Sequence, residues 1–547
     1  MPQCTPLEHT AITRELRAAR VKCNSREIFH NPEEALPALA GYMTWFHRKL
    51  AAVTDSEERG ELEHIAPWTA EFGSRIFQMN RPDVSAVQEA ARDARRQGNV
   101  TPILRQSLED LCGREFTVGD VTVNEITTDL LQERGGFSPV PTPSVPPVIA
   151  ALQRDRRSAS HVLALNAGGT SEQIGYANAT SEHVHIENLQ TRKMENAPCH
   201  STDDFWNLHF PADTIRQLAQ SDPERTTIVV GLAFPIQTFE DANTGRTDGT
   251  VIHFADKYDA PVLGPRNALE AASRKNEKGQ HQPLIHSLRS FLKQHTGKRF
   301  LRISLAPNDT NTAEIAFCTS RRAEGRKTGG LVCGTGFNVC SGDTNFEAGH
   351  YVGRFPFSMP DRIANALEGG GANDVECLCC GKILGHAFLV AIQNCGLGGL
   401  TEKIKTMSEK ERDIFIFSLA YNRAPAVPLD TVEEYIARTI ATAMIARAET
   451  SLALMLAAIH SAKGTEVIFG EGSYVRKEDA FKTMVNRKIR AYCPHLQSDL
   501  LAIEPLPVSF ASEEQEHEHG NNLAASFVGS VLYGHGQNLL ETERLRA

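Results

Sequence analysis

The sequence predicts an α/β protein, and three observations support that class. Apolar strand-like runs end in Gly-rich turns near residues 163–170, 331–336 and 468–473. Another strand-like run, residues 299–305, leads into the triplet Asn308, Asp309 and Thr310. From residue 375 to 463 the apolar pattern becomes helical. Strands that end in polar or Gly-rich turns are typical of open α/β sheets, where ligands bind at the carboxyl ends of the strands.

Length and charge limit the architecture and the partners. The 547 residues suffice for two to four domains that each bury a core. The chain carries 57 Lys and Arg against 67 Asp and Glu, a net charge of -10, and no long block of like charge. Nucleic acid is therefore not an expected partner. The first residues lack a basic stretch followed by an apolar one, which predicts a cytoplasmic protein.

The longest apolar helical segment, residues 439–462, is predicted to be a buried core helix. Arg447, Glu449 and His460 interrupt it, so no run near 18 uncharged residues remains. No membrane partner is expected.

Cysteine usage favours reduced thiols over a disulfide framework, because the 12 cysteines are scattered without regular spacing. Cys377, Cys379 and Cys380 lie close together, and zinc binding and ordinary buried thiols are the two interpretations. No second cysteine pair or histidine pair of suitable spacing accompanies them, so we predict no metal site on cysteine.

The first part of the chain reads as an added helical region without catalytic spacing. Residues 1–115 are predicted to form a helical N-terminal extension, with binding of a protein partner as one option for it. Residues 116–136 predict an amphipathic helix closed by two glycines. The Pro-rich run 139–147 is expected to break regular structure and act as a connector.

The middle of the chain is predicted to be rich in strands. Residues 161–165 form one strand before the turn at 166–170, and residues 226–232 form a second, buried strand. Turn signals at 243–245 and 248–249 precede a short edge-like strand at 251–254. Near the C-terminus, residues 522–533 predict a helix whose small residues would allow close packing against nucleotide or sheet.

Asp309 is the leading candidate for a general base. A carboxylate at the end of a strand can accept a proton from a hydroxyl, and the nearby turn at residues 334–338 can cradle a phosphate because its glycines lack a Cβ. The pair predicts phosphoryl transfer to a hydroxyl. The alternative interpretation makes Asp309 a helix cap or turn former.

Five motifs in order resemble those of the hexokinase family, which has the actin-like ATPase fold. Residues 163–170 resemble its first phosphate motif LALDLGGT, and residues 334–338 its second, GTGxN. Residues 307–310 are similar to its NDT, residues 468–473 to its adenosine-side VDGS, and residues 447–448 to part of its RAA helix. The likeness covers roughly residues 116–535.

The resemblance implies a two-lobed, ribonuclease H-like sugar-kinase fold with an added N-terminal helical region. It implies an N-terminal lobe at 116–320 and a C-terminal lobe at 321–547, with Mg-ATP as cofactor and a hexose 6-phosphate as product. The implied catalytic base is Asp309. The implied sugar contacts are Asn308, Glu347, Glu376 and Lys257. The implied nucleotide contacts are Gly168, Gly169, Thr170, Gly334, Thr335, Gly336, Asn338, Gly472 and Ser473.

The sequence also departs from the family pattern, which keeps a second function open. Asn166 replaces the Asp of LALDLGGT, a residue expected near magnesium, and Gln173 replaces the following Arg. Ala255 replaces the Thr of the family's WTKGF. These changes favour a non-catalytic sugar or nucleotide sensor or scaffold, whereas Asn308, Asp309, Glu347 and Glu376 favour an ATP-dependent sugar kinase. Without the ordered motifs, Glu347 and Glu376 read as surface charges.

Overall fold

A computed structural model gives the structure of the protein. It describes residues 123–133, 139–167, 171–193, 202–232, 236–241, 244–251, 283–334, 336–346, 348, 351, 375, 379, 381–394, 397–421, 423, 429, 431–472, 475–476 and 478–546. The predicted N-terminal extension lies outside these residues.

The helices are α1 (Val123–Leu131), α2 (Val145–Arg154), α3 (Thr202–His209), α4 (Ala212–Gln220), α5 (Leu284–Thr296), α6 (Asp309–Phe317), α7 (Gly381–Asn394), α8 (Gly398–Lys405), α9 (Glu409–Ala420), α10 (Thr431–Lys463), α11 (Asp479–Tyr492), α12 (Glu513–His519) and α13 (Ala525–Arg546). The strands are β1 (Val140–Pro141), β2 (Ser160–Ala167), β3 (Ser171–Ala179), β4 (Val184–Lys193), β5 (Thr227–Leu232), β6 (Ile236–Glu240), β7 (Thr247–Val251), β8 (Ile303–Leu305), β9 (Thr328–Cys333), β10 (Phe337–Ser341), β11 (Thr344–Asn345), β12 (Val467–Glu471), β13 (Leu501–Ala502) and β14 (Val508–Phe510).

Two six-stranded sheets organise the described residues. The N-terminal sheet has the order β14-β4-β3-β2-β5-β8, with β2, β5 and β8 parallel. The C-terminal sheet has the order β1-β11-β10-β9-β12-β13, with β9, β12 and β13 parallel. Strands β6 and β7 form a separate antiparallel hairpin. The predicted α/β class is confirmed.

A helical layer of α2, α6 and α13 lies between the two sheets. Its apolar side chains form one core with residues of both sheets, among them Val162 and Val229 of the N-terminal sheet and Phe469 of the C-terminal sheet. Glycines let α13 approach closely, since a Cβ on Gly529 would lie 1.7 Å from the carbonyl oxygen of Thr312. Burial on both faces explains why β2, β5 and β12 contain continuous apolar runs.

The outer faces of the sheets carry separate cores. Helices α3 and α5 cover the N-terminal sheet, with Trp206 and Phe291 fully buried. Helices α1, α7, α9, α10 and α11 cover the C-terminal sheet. Within the described residues, Ile436–Lys463 of α10 is long and apolar enough to cross a membrane by length and composition, yet 83% of that window is buried inside the protein. The prediction of a buried core helix here is confirmed.

Two local predictions are wrong. The Pro-rich run does not interrupt regular structure: β1 pairs with β11, and α2 begins at Val145 with Pro146 and Pro147 in its first turn. Proline is tolerated there because the first helical N–H groups have no intrahelical acceptor. The pair Asp248 and Gly249 lies inside β7 and forms no turn. The turn predicted near Gly245 is present, with that glycine at a φ of 64°.

The chain crosses between the sheets more than once. Strand β1 precedes residue 320 yet joins the C-terminal sheet, and β14 follows it yet joins the N-terminal sheet. The division into lobes at residue 320 therefore stays a prediction. Helix α13 is longer than predicted, and its small residues Gly529 and Gly534 pack against α6 and the N-terminal sheet, respectively.

Candidate functional site

The first turn of α6 is built around a capping asparagine. Strand β8 covers only Ile303–Leu305, shorter than the predicted run, and Pro307 separates it from the helix. Asn308 is the N-cap: its Oδ1 accepts hydrogen bonds from the Thr310 amide at 3.0 Å and the Thr310 hydroxyl at 2.8 Å. Its oxygen is thus committed to the fold, and its Nδ2 has no hydrogen bond within the described part of the chain.

Asp309 is the first residue of α6 and is partly buried. Its Oδ1 accepts the Thr310 amide at 2.9 Å. Burial raises the pKa of this carboxyl above its usual value, while the amide hydrogen bonds act in the opposite direction. A carboxylate with a raised pKa accepts a proton more readily, which suits a general base.

The second predicted phosphate loop is the turn of the β9–β10 hairpin. Cys333 pairs with Phe337, and the Gly334 amide donates to the Gly336 carbonyl at 2.9 Å, which closes the turn. A Cβ on Gly334 would meet no atom of the described residues within 4 Å, so the described part of the chain leaves the space in front of this glycine open. Asn338 follows the turn, and its Oδ1 accepts amides of Val339 at 2.8 Å and Ala348 at 3.2 Å.

The third glycine segment lies directly beside the second. Strands β9 and β12 are parallel, and Glu471 pairs with Val332. Gly470 and Glu471 belong to β12, so the loop begins at Gly472, later than predicted. Gly472 has a φ of 128°, and a Cβ there would lie 1.7 Å from the Cys333 carbonyl oxygen. Only glycine allows this approach, which brings the two loops together.

The helix that carries Asp309 also contacts the strand that leads to the second loop. A Cβ on Gly330 of β9 would lie 2.1 Å from the carbonyl oxygen of Thr310 and 3.0 Å from the amide nitrogen of Glu314. The missing side chain at Gly330 thus lets the first turns of α6 rest on β9.

The stems of the first predicted phosphate loop bind α13. The Asn166 Nδ2 donates to the Ser526 Oγ at 3.0 Å. Gln173 lies opposite Asn166 in the β2–β3 pair, and it donates to the Asn522 carbonyl at 3.0 Å and accepts the Ala524 amide at 3.2 Å. These two departures from the family pattern therefore make hydrogen bonds to the start of the last helix.

Several predicted site residues lie outside the described residues. They are Lys257, Glu347, Glu376, Gly168, Gly169, Thr170, Thr335 and Ser473. The structure places Gly472 beside Cys333 at the start of the second glycine turn, and it sets the first turns of the helix that begins with Asp309 on β9, the strand that leads into that turn. The assigned roles of all these residues stay predictions.

Two groups of buried charged residues were missed by the sequence reasoning. Glu172 at the start of β3 bonds to Arg192 and to His209, and the His209 side chain is fully buried. Glu314 on α6 is also fully buried. Glu314 did leave a signal, since it is the one charged residue between Asp309 and Arg321.

No group of three or more His, Cys, Asp or Glu side chains that could hold a metal ion occurs within the residues that the structure describes. Cys379 is buried, and burial raises the pKa of its thiol well above the usual range. Cys377 and Cys380 lie outside the described residues.

No protein-family model and no curated protein matches this sequence. Solved structures do match. A hexokinase structure is 12% identical, with a TM-score of 0.51, covering 79% of this chain and 99% of the other. A Schistosoma mansoni hexokinase complexed with glucose is 12% identical over the same shares, with a TM-score of 0.46. A ROK-family transcriptional regulator, a homologue of the E. coli MLC protein, is 14% identical, covering 71% and 81%, with a TM-score of 0.42.

The chain therefore has the hexokinase fold. The first match carries this conclusion, because it spans nearly the whole of the other chain. The predicted two-lobed sugar-kinase architecture is confirmed, and at this identity the likeness concerns the fold alone.

Proposed function

We propose that this protein catalyses ATP-dependent phosphorylation of a hexose or related sugar hydroxyl, with Asp309 as the general base. One observation carries the proposal. Asp309 is a carboxylate of raised pKa at the start of α6, whose first turns rest on the strand that leads into the Gly334–Gly336 turn. A base beside a glycine turn that faces open space suits transfer of a phosphoryl group to a hydroxyl.

The sugar is held by side chains that form charge-assisted hydrogen bonds with its hydroxyl groups. Asn308 contributes its Nδ2, because its Oδ1 caps α6. Glu347 and Glu376 accept hydrogen bonds from hydroxyls, and Lys257 donates one, as the resemblance implies. The hydrogen bond from the Ala348 amide to Asn338 supports this assignment, because it ties the residue after Glu347 to the second glycine segment.

The nucleotide phosphates lie on the glycine turns, with Gly168, Gly169 and Thr170 on one side and Gly334, Thr335, Gly336 and Asn338 on the other. Gly472 and Ser473 contact the adenosine side. When bound, Mg²⁺ neutralises charge on the phosphates. Asp309 is the carboxylate that would hold the metal or its waters, because Asn166 is a neutral amide and already bonds to Ser526.

The proposed setting is cytoplasmic, with a small-molecule sugar as the partner and neither nucleic acid nor membrane. Closure of the two lobes around the sugar would exclude water, so that the phosphoryl group passes to the sugar hydroxyl and not to solvent.

A coupled ADP-release screen tests this function. Hexoses, amino sugars and polyols are each supplied with ATP and either magnesium or manganese. We expect ADP release above the rate in water alone for at least one sugar, and stoichiometric formation of its phosphate ester. Release that no compound in the panel stimulates would contradict a sugar kinase.

The second candidate is a hexokinase-like sensor or scaffold that binds sugar or nucleotide without transfer. The hydrogen bonds of Asn166 and Gln173 to the start of α13 favour it, since two positions tied to ligands in the family pattern here serve the fold. Calorimetry on the same panel separates the two functions. Binding of a sugar without turnover identifies the sensor.

A further inference from the structure

Glu314 is a buried carboxylate that the proposed mechanism leaves without a role. It lies five residues after Asp309 on α6, and none of its side chain is exposed. Burial of a charged group is unfavourable unless hydrogen-bond or ionic partners compensate for the lost water. Its partners therefore decide what it does.

All described hydrogen-bond partners of the Glu314 carboxylate come from the β9–β10 hairpin and the turn after it. The Thr328 hydroxyl donates to Oε1 at 2.6 Å, and the Cys340 thiol donates to Oε2 at 3.3 Å. The Gly342 amide donates as well. One carboxylate thus joins both strands of the hairpin to the helix that begins with Asp309.

A second contact between the same two elements lies closer to Asp309. The Gly330 amide donates to the Cys340 sulfur at 3.2 Å, and Gly330 has no Cβ to keep the Thr310 carbonyl away. Helix α6 therefore contacts the hairpin at two positions along its axis, by close approach of Thr310 to Gly330 and by the hydrogen bonds of Glu314. The far end of this hairpin is the Gly334–Gly336 turn.

We propose that Glu314 is a positioning residue, which sets the distance between Asp309 and the second glycine turn by tying α6 to the β9–β10 hairpin. This role rests on the proposed phosphoryl transfer. An α-helix rises about 1.5 Å per residue, so Glu314 acts about 7 Å from Asp309 along the axis. A misplacement of about 1 Å between reacting groups can cost about 100-fold in rate.

The burial of Glu314 also changes the proton affinity of its carboxyl. Burial raises the pKa of its carboxyl from 4.5 to about 7, with the three donors and Lys327 acting in the opposite direction. The other titratable groups that face this cluster are the thiols of Cys340 and Cys318, whose pKa values burial raises, and Asp309 near Cys340.

The test compares three variants with a matched control in the full chain. Glu314→Leu removes the acceptor at similar volume, Glu314→Gln keeps one acceptor oxygen, and Thr328→Val removes one donor. Glu449→Gln is the control, because Glu449 is also buried but bonds to Tyr421 and Lys488. For each variant, kcat and the KM for a sugar that the wild type phosphorylates are measured, together with amide exchange of residues 309–312 and 328–342.

We expect Glu314→Leu to lower kcat by about 10–100-fold while the KM for sugar changes by less than about threefold. Glu314→Gln should recover part of this loss. The double variant with Thr328→Val should be no slower than Glu314→Leu alone, because both changes break one interaction. Amide exchange in both segments should rise in Glu314→Leu and stay unchanged in Glu449→Gln.

The proposal is overturned if Glu314→Leu and Thr328→Val keep the wild-type kcat, or if their losses equal that of Glu449→Gln. If Glu314→Leu does not fold, Thr328→Val decides the question, with an expected loss of about 3–10-fold. Absence of sugar-stimulated turnover in the wild type overturns the proposed sugar-kinase function, and with it the role of Glu314 in phosphoryl transfer. Unchanged amide exchange in a folded Glu314→Leu overturns the tether itself.

Discussion

The β2–β3 and β9–β10 hairpins have the same form and different anchors. Each is an antiparallel pair of strands with glycines in the sequence between them, and each packs against a helix of the middle layer. The β2–β3 hairpin is held to α13 by the neutral amides of Asn166 and Gln173. The β9–β10 hairpin is held to α6 by the ionisable carboxyl of Glu314.

The difference suggests where charge is available for chemistry. A neutral anchor holds its hairpin at every pH and offers no negative charge to a metal. A buried carboxyl anchors its hairpin in a way that depends on pH, and it lies on the same helix as Asp309. In the proposed enzyme the acid–base group therefore lies on α6, the helix that is anchored to the second hairpin, β9–β10. The first hairpin, β2–β3, contributes backbone geometry.

The largest expected effect follows from removing the base beside the second hairpin. Asp309→Asn should lower kcat by about 100-fold or more, since general-base catalysis contributes about 10²–10⁴. Sugar affinity should change little. Wild-type activity should fall as pH falls through the raised pKa of Asp309, because the protonated carboxyl cannot accept a proton.

Steady-state kinetics against pH, with calorimetry for the sugar, give this measurement. Asp213→Asn is the control. It makes the same change in the first turn of another helix, at an exposed carboxylate that pairs with Arg216. A variant as fast as the wild type would remove Asp309 from the mechanism.

The next effect concerns stability, and it distinguishes the two anchors. The Glu314 carboxyl binds its proton more tightly in the folded state, with a pKa near 7, than in the unfolded chain, near 4.5. Its contribution to stability is therefore fully present below pH 4.5 and is lost as pH rises to about 7. At about 1.4 kcal/mol per pKa unit, the loss is on the order of 3–4 kcal/mol.

Glu314→Gln does not titrate. The free energy of unfolding of Glu314→Gln, relative to the wild type, should thus rise between pH 4.5 and 7 and then level off. Denaturant unfolding at several pH values measures it. Gln173→Glu would place a carboxyl on the β2–β3 hairpin and should give its stability a dependence on pH. Gln173→Leu places no carboxyl there, so its free energy of unfolding relative to the wild type should not change with pH in this way. A flat difference for Glu314→Gln would contradict a buried, titrating anchor.

A smaller effect separates glycines that serve the fold from those that serve a ligand. Gly472→Ala should cost about 1–3 kcal/mol of stability, because its Cβ would collide with the Cys333 carbonyl at a positive φ. Gly334→Ala should leave stability within about 0.5 kcal/mol, because its Cβ points into open space.

Calorimetric titration with nucleotide completes the comparison. Gly334→Ala should weaken nucleotide binding, since the added methyl occupies the space in front of the turn. Gly398→Ala is the control, because a Cβ there also meets no atom of the described residues within 4 Å but lies at the start of α8. Equal nucleotide affinity in Gly334→Ala and Gly398→Ala would place the phosphates elsewhere.

The sequence predicted β2, β5, β9 and β12 because a local apolar run marks each of them, but it did not predict β3, β4 or β10, in which polar residues interrupt the apolar ones. The sequence analysis could not predict the role of a side chain whose interaction partner lies far away in the chain. The partner of Asn166, Ser526, is 360 residues distant, and no local pattern distinguishes a fold contact from a ligand contact there. The prediction for the Pro-rich run was wrong for a different reason, since proline breaks a helix in its interior but not in its first turn. Glu314 was missed because a charge on a helix usually faces solvent.

The smallest expected effect tests the neutral anchor of the first hairpin. Asn166→Asp would place a carboxylate beside the Ser526 hydroxyl, which can reverse its role and donate to it, so the hydrogen bond to α13 survives. The new charge should attract Mg²⁺ and tighten magnesium-nucleotide binding by about tenfold, equal to about 1.4 kcal/mol. Because Asn166 is 9% exposed, the cost of burying the charge limits the gain.

Asn166→Leu, of similar size and uncharged, is the control, and it should lose stability without any gain in affinity. In a kinase, Asn166→Asp should also raise the rate or lower the metal requirement, whereas in a sensor it should raise affinity without turnover. Calorimetry with and without magnesium, next to the ADP-release assay, distinguishes these results. If Asn166→Asp changes neither metal dependence nor affinity, residues 168–170 do not hold the phosphates, and the first hairpin serves the fold alone.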